Sequence, residues 1–244
     1  MATNPMHQFE VHRIGPSLSI NGIDLSFTNS SLFMLISSVL IIIFFIAGTR
    51  KVNIVPGKIQ LLNELVFNFI SKMINETVGP NARPYFPFIL TIFLFILTLN
   101  MIGLLPYAFT VTSQIIITFF LAIVIFIGVT IVGFAKNGIG FLKIFAPSGV
   151  PIFLFPIIVA IEIISFLSRP VSLSVRLFAN MLAGHTMLKV FGGFVVSLGI
   201  IGGWLPLSFS VALTALEILV AFLQAYVFAV LSCIYLNDAL NMHH

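Results

Sequence analysis

The sequence predicts an all-α polytopic membrane protein, and three observations carry that prediction. Hydrophobic residues make up 59% of the 244-residue chain and charged residues only 7%, against ~25% charged residues in soluble globular proteins. Mean hydropathy is +1.18, so most of the exterior has to face lipid. Apolar runs also recur that reach the ~20 residues a helix needs to cross a hydrocarbon core ~30 Å thick. Soluble enzymes, disordered regions and nucleic-acid modules are disfavoured together. The formal charge is +4, yet the basic residues are scattered through short connections and nowhere dense enough to hold phosphates. No nucleic-acid partner is expected. One cysteine, Cys233, stands in an apolar run, which excludes a disulfide framework and a thiolate metal cluster.

Residues 1–28 are the most polar stretch, with His7, Glu10, His12, Arg13 and Asp24, and they lack the ordered regions of a signal or transit peptide. Residues 29–244 read as a single membrane domain. Its first span is 31–48, closed by Arg50 and Lys51. In 59–78, Leu62, Leu65, Val66, Phe69, Ile70 and Met73 recur at helical spacing opposite Asn63, Glu64, Asn68, Lys72, Asn75 and Glu76. That pattern predicts a helix lying in the membrane interface. Spans 86–106 and 115–135 follow, joined by an uncharged link.

Two further runs are too long for vertical spans. Residues 150–201 would measure ~78 Å as one helix and 205–236 ~48 Å, which predicts a tilted hairpin turning near Gly202 and Gly203. Pro170 lacks an N–H and crowds the carbonyl of Phe166, so a kink is expected there. Loop charge sets the orientation: Arg50, Lys51, Lys58, Lys72 and Arg83 occupy one connection, Lys136 and Lys143 another. By the positive-inside rule these face the cytoplasm or an organellar matrix, with residues 1–28 outside and the C-terminus inside.

An ionisable side chain within a membrane segment costs at least ~2.5 kcal/mol by insertion scales and marks a functional site by default. Glu162, Arg176, His185 and Glu217 are such groups, while Arg169 and Lys189 are long enough to snorkel toward an interface. Fourfold spacing puts Ser168, Ser172, Arg176, Asn180 and Gly184 on one row of a helix, with Ala179 and Ala183 beside it. Small residues admit a close partner, so Arg176 is framed for contact, with a charge that an arginine does not give up. Glu162 lies ~21 Å before it along the axis, too far for direct pairing, and is placed to line a route to the inner side. On the last run Ser210, Thr214, Glu217, Ala221, Gln224 and Tyr235 form a polar and small stripe. His185 and Glu217 reach the same depth on opposite arms, where an imidazole and a carboxylate in contact exchange protons near neutral pH. Asn100 is a further polar group at the outer end of its span. The glycines at 192–193 and 199–203 read as helix-packing or turn residues.

The motif RPVSLSVRLFANMLAGH at 169–185, NMIGLLPY at 100–107, and Glu217 to Gln224 followed by AYVFAVLSCIYLNDA together resemble subunit a of the F-type ATP synthase over nearly the whole chain. The resemblance implies a long tilted hairpin held against a rotating c-ring of two-helix subunits, with two offset proton half-channels. By position Arg176 is similar to the indispensable arginine of that family, Asn180 and Gln224 to its polar neighbours, Glu162 to a group of the inner half-channel and Asn100 to one near the outer. Many bacterial members carry Glu where this chain has His185 and His where it has Glu217. The exchanged arrangement resembles mitochondrial and alphaproteobacterial members. The resemblance further implies peripheral-stalk b subunits and membrane lipid as partners, no cofactor or metal, no ATP chemistry on this chain, and a bacterial inner membrane or, alternatively, the mitochondrial one. A secondary ion-coupled transporter is the competing class. Its sites lie between internal repeats, and no repeat is visible in this sequence.

Overall fold

The computed structural model describes residues 9–14, 19–20, 23–24, 26–50, 53–105, 108–145 and 153–240. His7, Lys51, Pro106 and His243 therefore lie outside the described residues. Six α-helices dominate: α1 Asn29–Thr49, α2 Lys58–Thr77, α3 Phe86–Gly103, α4 Ile115–Asn137, α5 Phe155–Gly202 and α6 Trp204–Leu240. The N-terminal segment departs from helix, with a two-stranded antiparallel ladder of β1 (Ser19–Ile20) and β2 (Ile23–Asp24). Among the described residues five helices are long and apolar enough to cross a membrane.

Local chemistry sets the helix ends. The Thr28 hydroxyl accepts from the Ser31 N–H at the start of α1, satisfying a donor that the helix itself leaves free. Proline at the first turn of α3 and of α5 occupies positions where a backbone N–H has no intrahelical partner. α4 stops at Gly138, whose φ of 55° suits a residue without Cβ.

The connections make the helices alternate in direction. At one end the Gln114 amide donates to the Phe9 carbonyl at 2.7 Å, and the Phe33 and Phe109 rings pack at 6.5 Å. The start of α1, the N-terminal segment and the 3-10 turn Val111–Ser113 thus share that end. At the other end Asn63 of α2 donates to the Phe44 carbonyl of α1 at 3.1 Å, and Asn137 of α4 to the Ala239 carbonyl of α6 at 2.6 Å.

α2 does not divide as its periodicity predicts. Asn63, expected on the water-facing side, is buried over Gly48 of α1, where a methyl group would collide with its amide, while Leu62 and Leu65 are exposed. The amide fits there because Gly48 has no side chain to exclude it, and its N–H finds an acceptor in the Phe44 carbonyl. Ile70, Met73 and Ile74 enter the core as expected.

The first arm of the hairpin starts later than the sequence predicts, at Phe155, and breaks elsewhere. α5 runs 48 residues, and its φ/ψ values stay helical through Pro170. The expected kink is absent from the backbone dihedrals. The break comes at Gly199 instead, with φ 61° and ψ −161°, a left-handed conformation that glycine adopts without steric cost. The turn therefore begins three residues earlier than Gly202. Gly203 closes it by donating to the Gly199 carbonyl at 2.9 Å.

α6 packs against α2, α3, α4 and α5. Its contact seam is Ala221, Ala225, Ala229 and Cys233, each 0% exposed, at fourfold spacing that stacks small side chains on one face. Leucine at Ala225 would overpack this seam at a cost of about 1–3 kcal/mol. Ala225→Leu is therefore expected to lower the thermal unfolding midpoint of the purified protein, whereas Leu219→Ala, on the exposed face, leaves it unchanged. Equal midpoints for Ala225→Leu and the parent chain would contradict the packing.

Candidate ion-conducting site

The two faces of α5 differ sharply. Leu173, Ser174, Leu177 and Met181 are buried against the bundle, and the Ser174 hydroxyl lies 3.0 Å from that of Thr118 on α4. On the opposite side Ser168, Ser172, Arg176 and Asn180 are all exposed, as are Ala179 and Ala183. None of the described residues covers this row. Gly192 and Gly193 also face open space, for a Cβ on either would meet no atom within 4 Å. Among the described residues nothing packs on either glycine.

Arg176 makes no hydrogen bond or ion pair among the described residues. The neighbouring cation is treated differently. Arg169, seven residues earlier, donates from Nη1 to Oδ2 of Asp238 at 2.9 Å and lies over the Tyr235 ring at 4.9 Å and the Phe166 ring at 5.5 Å. It is paired across the hairpin and does not snorkel, because α6 brings a carboxylate and an aromatic face within reach. The Tyr235 hydroxyl is within electrostatic reach of both Arg169 and Arg176. The spacing 162, 169, 176 places Glu162, Arg169 and Arg176 along one flank of α5. Glu162 is half-buried and, as expected, makes no pair with Arg176.

On α6, Glu217 is only 7% exposed, and neither of its carboxylate oxygens has a hydrogen-bond partner. It packs on Gly184 of α5, where a Cβ would stand 3.0 Å from the Glu217 Cδ. His185 is the next residue, and its Nε2 is buried without a partner. The two groups do reach one depth, but no hydrogen bond joins them. One residue further along a helix is ~100° around it, and the carboxylate fills the gap that the missing Gly184 side chain leaves. The Asn100 amide, fully buried on α3, donates to the Ala221 carbonyl at 3.2 Å, one turn from Glu217, while its Oδ1 has no partner. Gln224, also buried, lies on the same seam one turn beyond. Structure thus gathers Asn100, Glu217, Gln224 and the edge of His185, and holds Arg176 and Asn180 on the uncovered face.

Sequence reasoning missed two sets of residues. Asp238 was visible only as an acid after the last apolar run, and its partner lies 69 residues away. Thr110, Thr112 and Ser113 are all buried, and the Thr112 hydroxyl has no partner. The signal was three hydroxyl residues in a link noted only for having no charge.

An unpaired buried carboxylate, an imidazole beside it and an exposed cation on the hairpin of a chain with five apolar helices fit one class, a multi-pass membrane protein that handles ions. The chain matches the ATP synthase A chain family over residues 31–237, and it belongs to that family. It is 70% identical over 244 residues to ATP synthase subunit a of Pelagibacter ubique, with all of both chains covered. It is 55% identical to the same subunit of Rhizobium rhizogenes over 247 residues, covering 99% of this chain and 98% of the relative. For Mesorhizobium japonicum the identity is 53% with the same coverage.

Gly184→Ala should displace the Glu217 carboxylate and slow ion conduction by about tenfold or more, within what an ångström-scale misplacement costs. Gly192→Ala, with open space around it, should conduct normally. Proton uptake into vesicles containing the intact complex distinguishes the two, and normal conduction in Gly184→Ala would remove the reason for the glycine.

Proposed function

We propose that this chain, subunit a in the Fo sector of a bacterial F-type ATP synthase, carries protons to and from a rotating c-ring along the uncovered face of α5. It sits in the inner membrane as a multi-pass protein. The observation that supports this reading is Arg176: a permanent cation, without a partner among the described residues, on an exposed face whose other members, Ser168, Ser172, Ala179, Asn180 and Ala183, carry no charge. A charge so placed is costly in lipid and becomes favourable only when a carboxylate comes to it from outside the chain.

The residues then divide by side. Protons from the outer side reach the ring carboxylate through the seam of Asn100, His185 and Glu217, whose unpaired atoms accept and donate them. Buried carboxylates without partners are expensive unless they work as proton carriers. Once protonated and neutral, the ring carboxylate turns through lipid. It returns to the other side of Arg176, where the guanidinium favours its ionised form, and the proton leaves toward Glu162. Arg176 also repels a proton that would cross directly without rotation, with Asn180 and Gln224 as its polar neighbours. The membrane potential contributes ~2.3 kcal/mol per proton per 100 mV. ATP chemistry lies on other subunits, and peripheral-stalk b subunits hold the chain against the torque.

Arg176→Ala is expected to abolish proton-driven ATP synthesis in vesicles while the complex still assembles and its detached head still hydrolyses ATP. Lysine should substitute poorly, since a desolvated lysine can lose its charge. Near-normal synthesis by Arg176→Ala would sink the mechanism.

Sidedness is testable separately. In a Cys233→Ser background, a cysteine at the exposed Lys58 should react only with thiol reagent supplied from the cytoplasmic side, and one at Leu105, 59% exposed, only from the opposite side. Labelling of the Lys58 position from outside would reverse the assignment of the two half-channels.

A further inference from the structure

A cleft of 380 Å³ opens between the C-terminal half of α2 and the beginning of α3, at the end of the bundle where the basic connections lie. It combines an apolar wall with a basic and polar side. Phe67, Phe86 and Pro87 form an apolar wall, with the two rings 4.6 Å apart and Phe67 51% exposed. Ser71 and Asn75, one turn apart on α2, and Arg83, from the 3-10 turn Pro80–Tyr85, line the polar side. None of these three side chains has a hydrogen-bond or ionic partner among the described residues. The two acids of α2 are engaged elsewhere: Glu76 with Lys72 at 3.8 Å, and Glu64 accepting from Gln60 at 2.9 Å. Neither Glu76 nor Lys72 lines the cleft.

We propose that this cleft binds one anionic phospholipid from the cytoplasmic leaflet. Its phosphate sits against Arg83, Ser71 and Asn75, and one acyl chain lies along Phe67, Phe86 and Pro87. A guanidinium with hydroxyl and amide donors beside it matches the oxygens of a phosphodiester. The apolar wall selects a lipid over free phosphate, since it offers an inorganic anion nothing. Depth agrees as well: α2 amphipathicity and the start of α3 set the cleft at the headgroup level, where a basic residue draws anionic lipid. By contrast, the groove on α4 lined by Phe126, Thr130 and Phe134 contains no charged residue and serves as the internal comparison for unselective lipid contact. The proposal rests on the membrane reading of the chain and is independent of the proton path.

The test uses the assembled complex in phosphatidylethanolamine vesicles carrying phosphatidylglycerol with a photoreactive diazirine on its acyl chain, followed by peptide mapping of the adducts. Adducts are expected on Phe67 and the 86–87 segment. Arg83→Gln should reduce them about fivefold, the occupancy change for one basic residue at an anionic surface, with adducts on α4 unchanged. Ser71→Phe, which fills the cleft and leaves the charge in place, should reduce them too, and it carries the test should the Arg83 variant fail to assemble. Excess inorganic phosphate should not compete. Three results would overturn the proposal: equal labelling by the phosphatidylcholine analogue, labelling indifferent to both substitutions, or no adducts in the parent complex because another subunit covers the cleft. Loss of proton-driven synthesis in Arg176→Ala with labelling intact would leave the two readings cleanly separated.

Discussion

The architecture depends on the small-residue seam of α6. Ala221, Ala225, Ala229 and Cys233 let four helices approach one cylinder closely, which in a membrane supplies the packing that water would otherwise drive. With α6 seated in this way, its functional groups have fixed neighbours. Ala221 presents its carbonyl to Asn100, Glu217 one turn earlier falls on Gly184, and Asp238 near the end meets Arg169. The same seating turns the Arg176 row of α5 away from the bundle. A bulky residue at any one of these seam positions would therefore disturb groups far apart in sequence.

Polar groups are handled in two ways. Most serine and threonine hydroxyls within the helices, such as Ser37, Thr91, Thr98, Thr130 and Ser232, donate to the carbonyl four residues back, which hides them at little structural cost. Arg169 is likewise neutralised. The exceptions are Glu217, the Nε2 of His185, the Oδ1 of Asn100 and the Thr112 hydroxyl, with Ser30 and Asn63 elsewhere. Leaving a buried polar atom unpaired costs about 1–3 kcal/mol, and four of these exceptions lie on or beside the hairpin and the α3–α4 link. This contrast separates polar groups tied down within their own helix from those left unpaired beside the hairpin.

In the hairpin the expected proline kink is absent from the backbone dihedrals, and the glycine turn falls at Gly199. Pro170 looked like the breaker, because it removes one backbone hydrogen bond and crowds the preceding turn. Helical geometry nevertheless continues through it, with α4 and α6 packed along that arm. Gly199 is one of several glycines that read as helix-packing or turn residues, and it alone within α5 adopts the positive φ that reverses the chain. Local rules state what each residue permits. Packing decided which permission was used.

Much was legible in the sequence because the bilayer imposes a length and a polarity that need no tertiary information. The five apolar helices, the helical character of α2, the over-long hairpin and the ionisable groups within it all follow from runs and periods along one chain. The RLFANMLAG motif added the family. What only the tertiary structure decided are the contacts between helices: that Glu217 settles on Gly184 and misses His185, that Asn63 turns into α1, and that Arg169 is paired by Asp238 while Arg176 is not. Periodicity assigns a residue to a face of its own helix. Which neighbour that face meets depends on the rotation and height of a second helix, set by the small-residue seams and hydrogen bonds of the assembled bundle, and a one-dimensional pattern does not contain them.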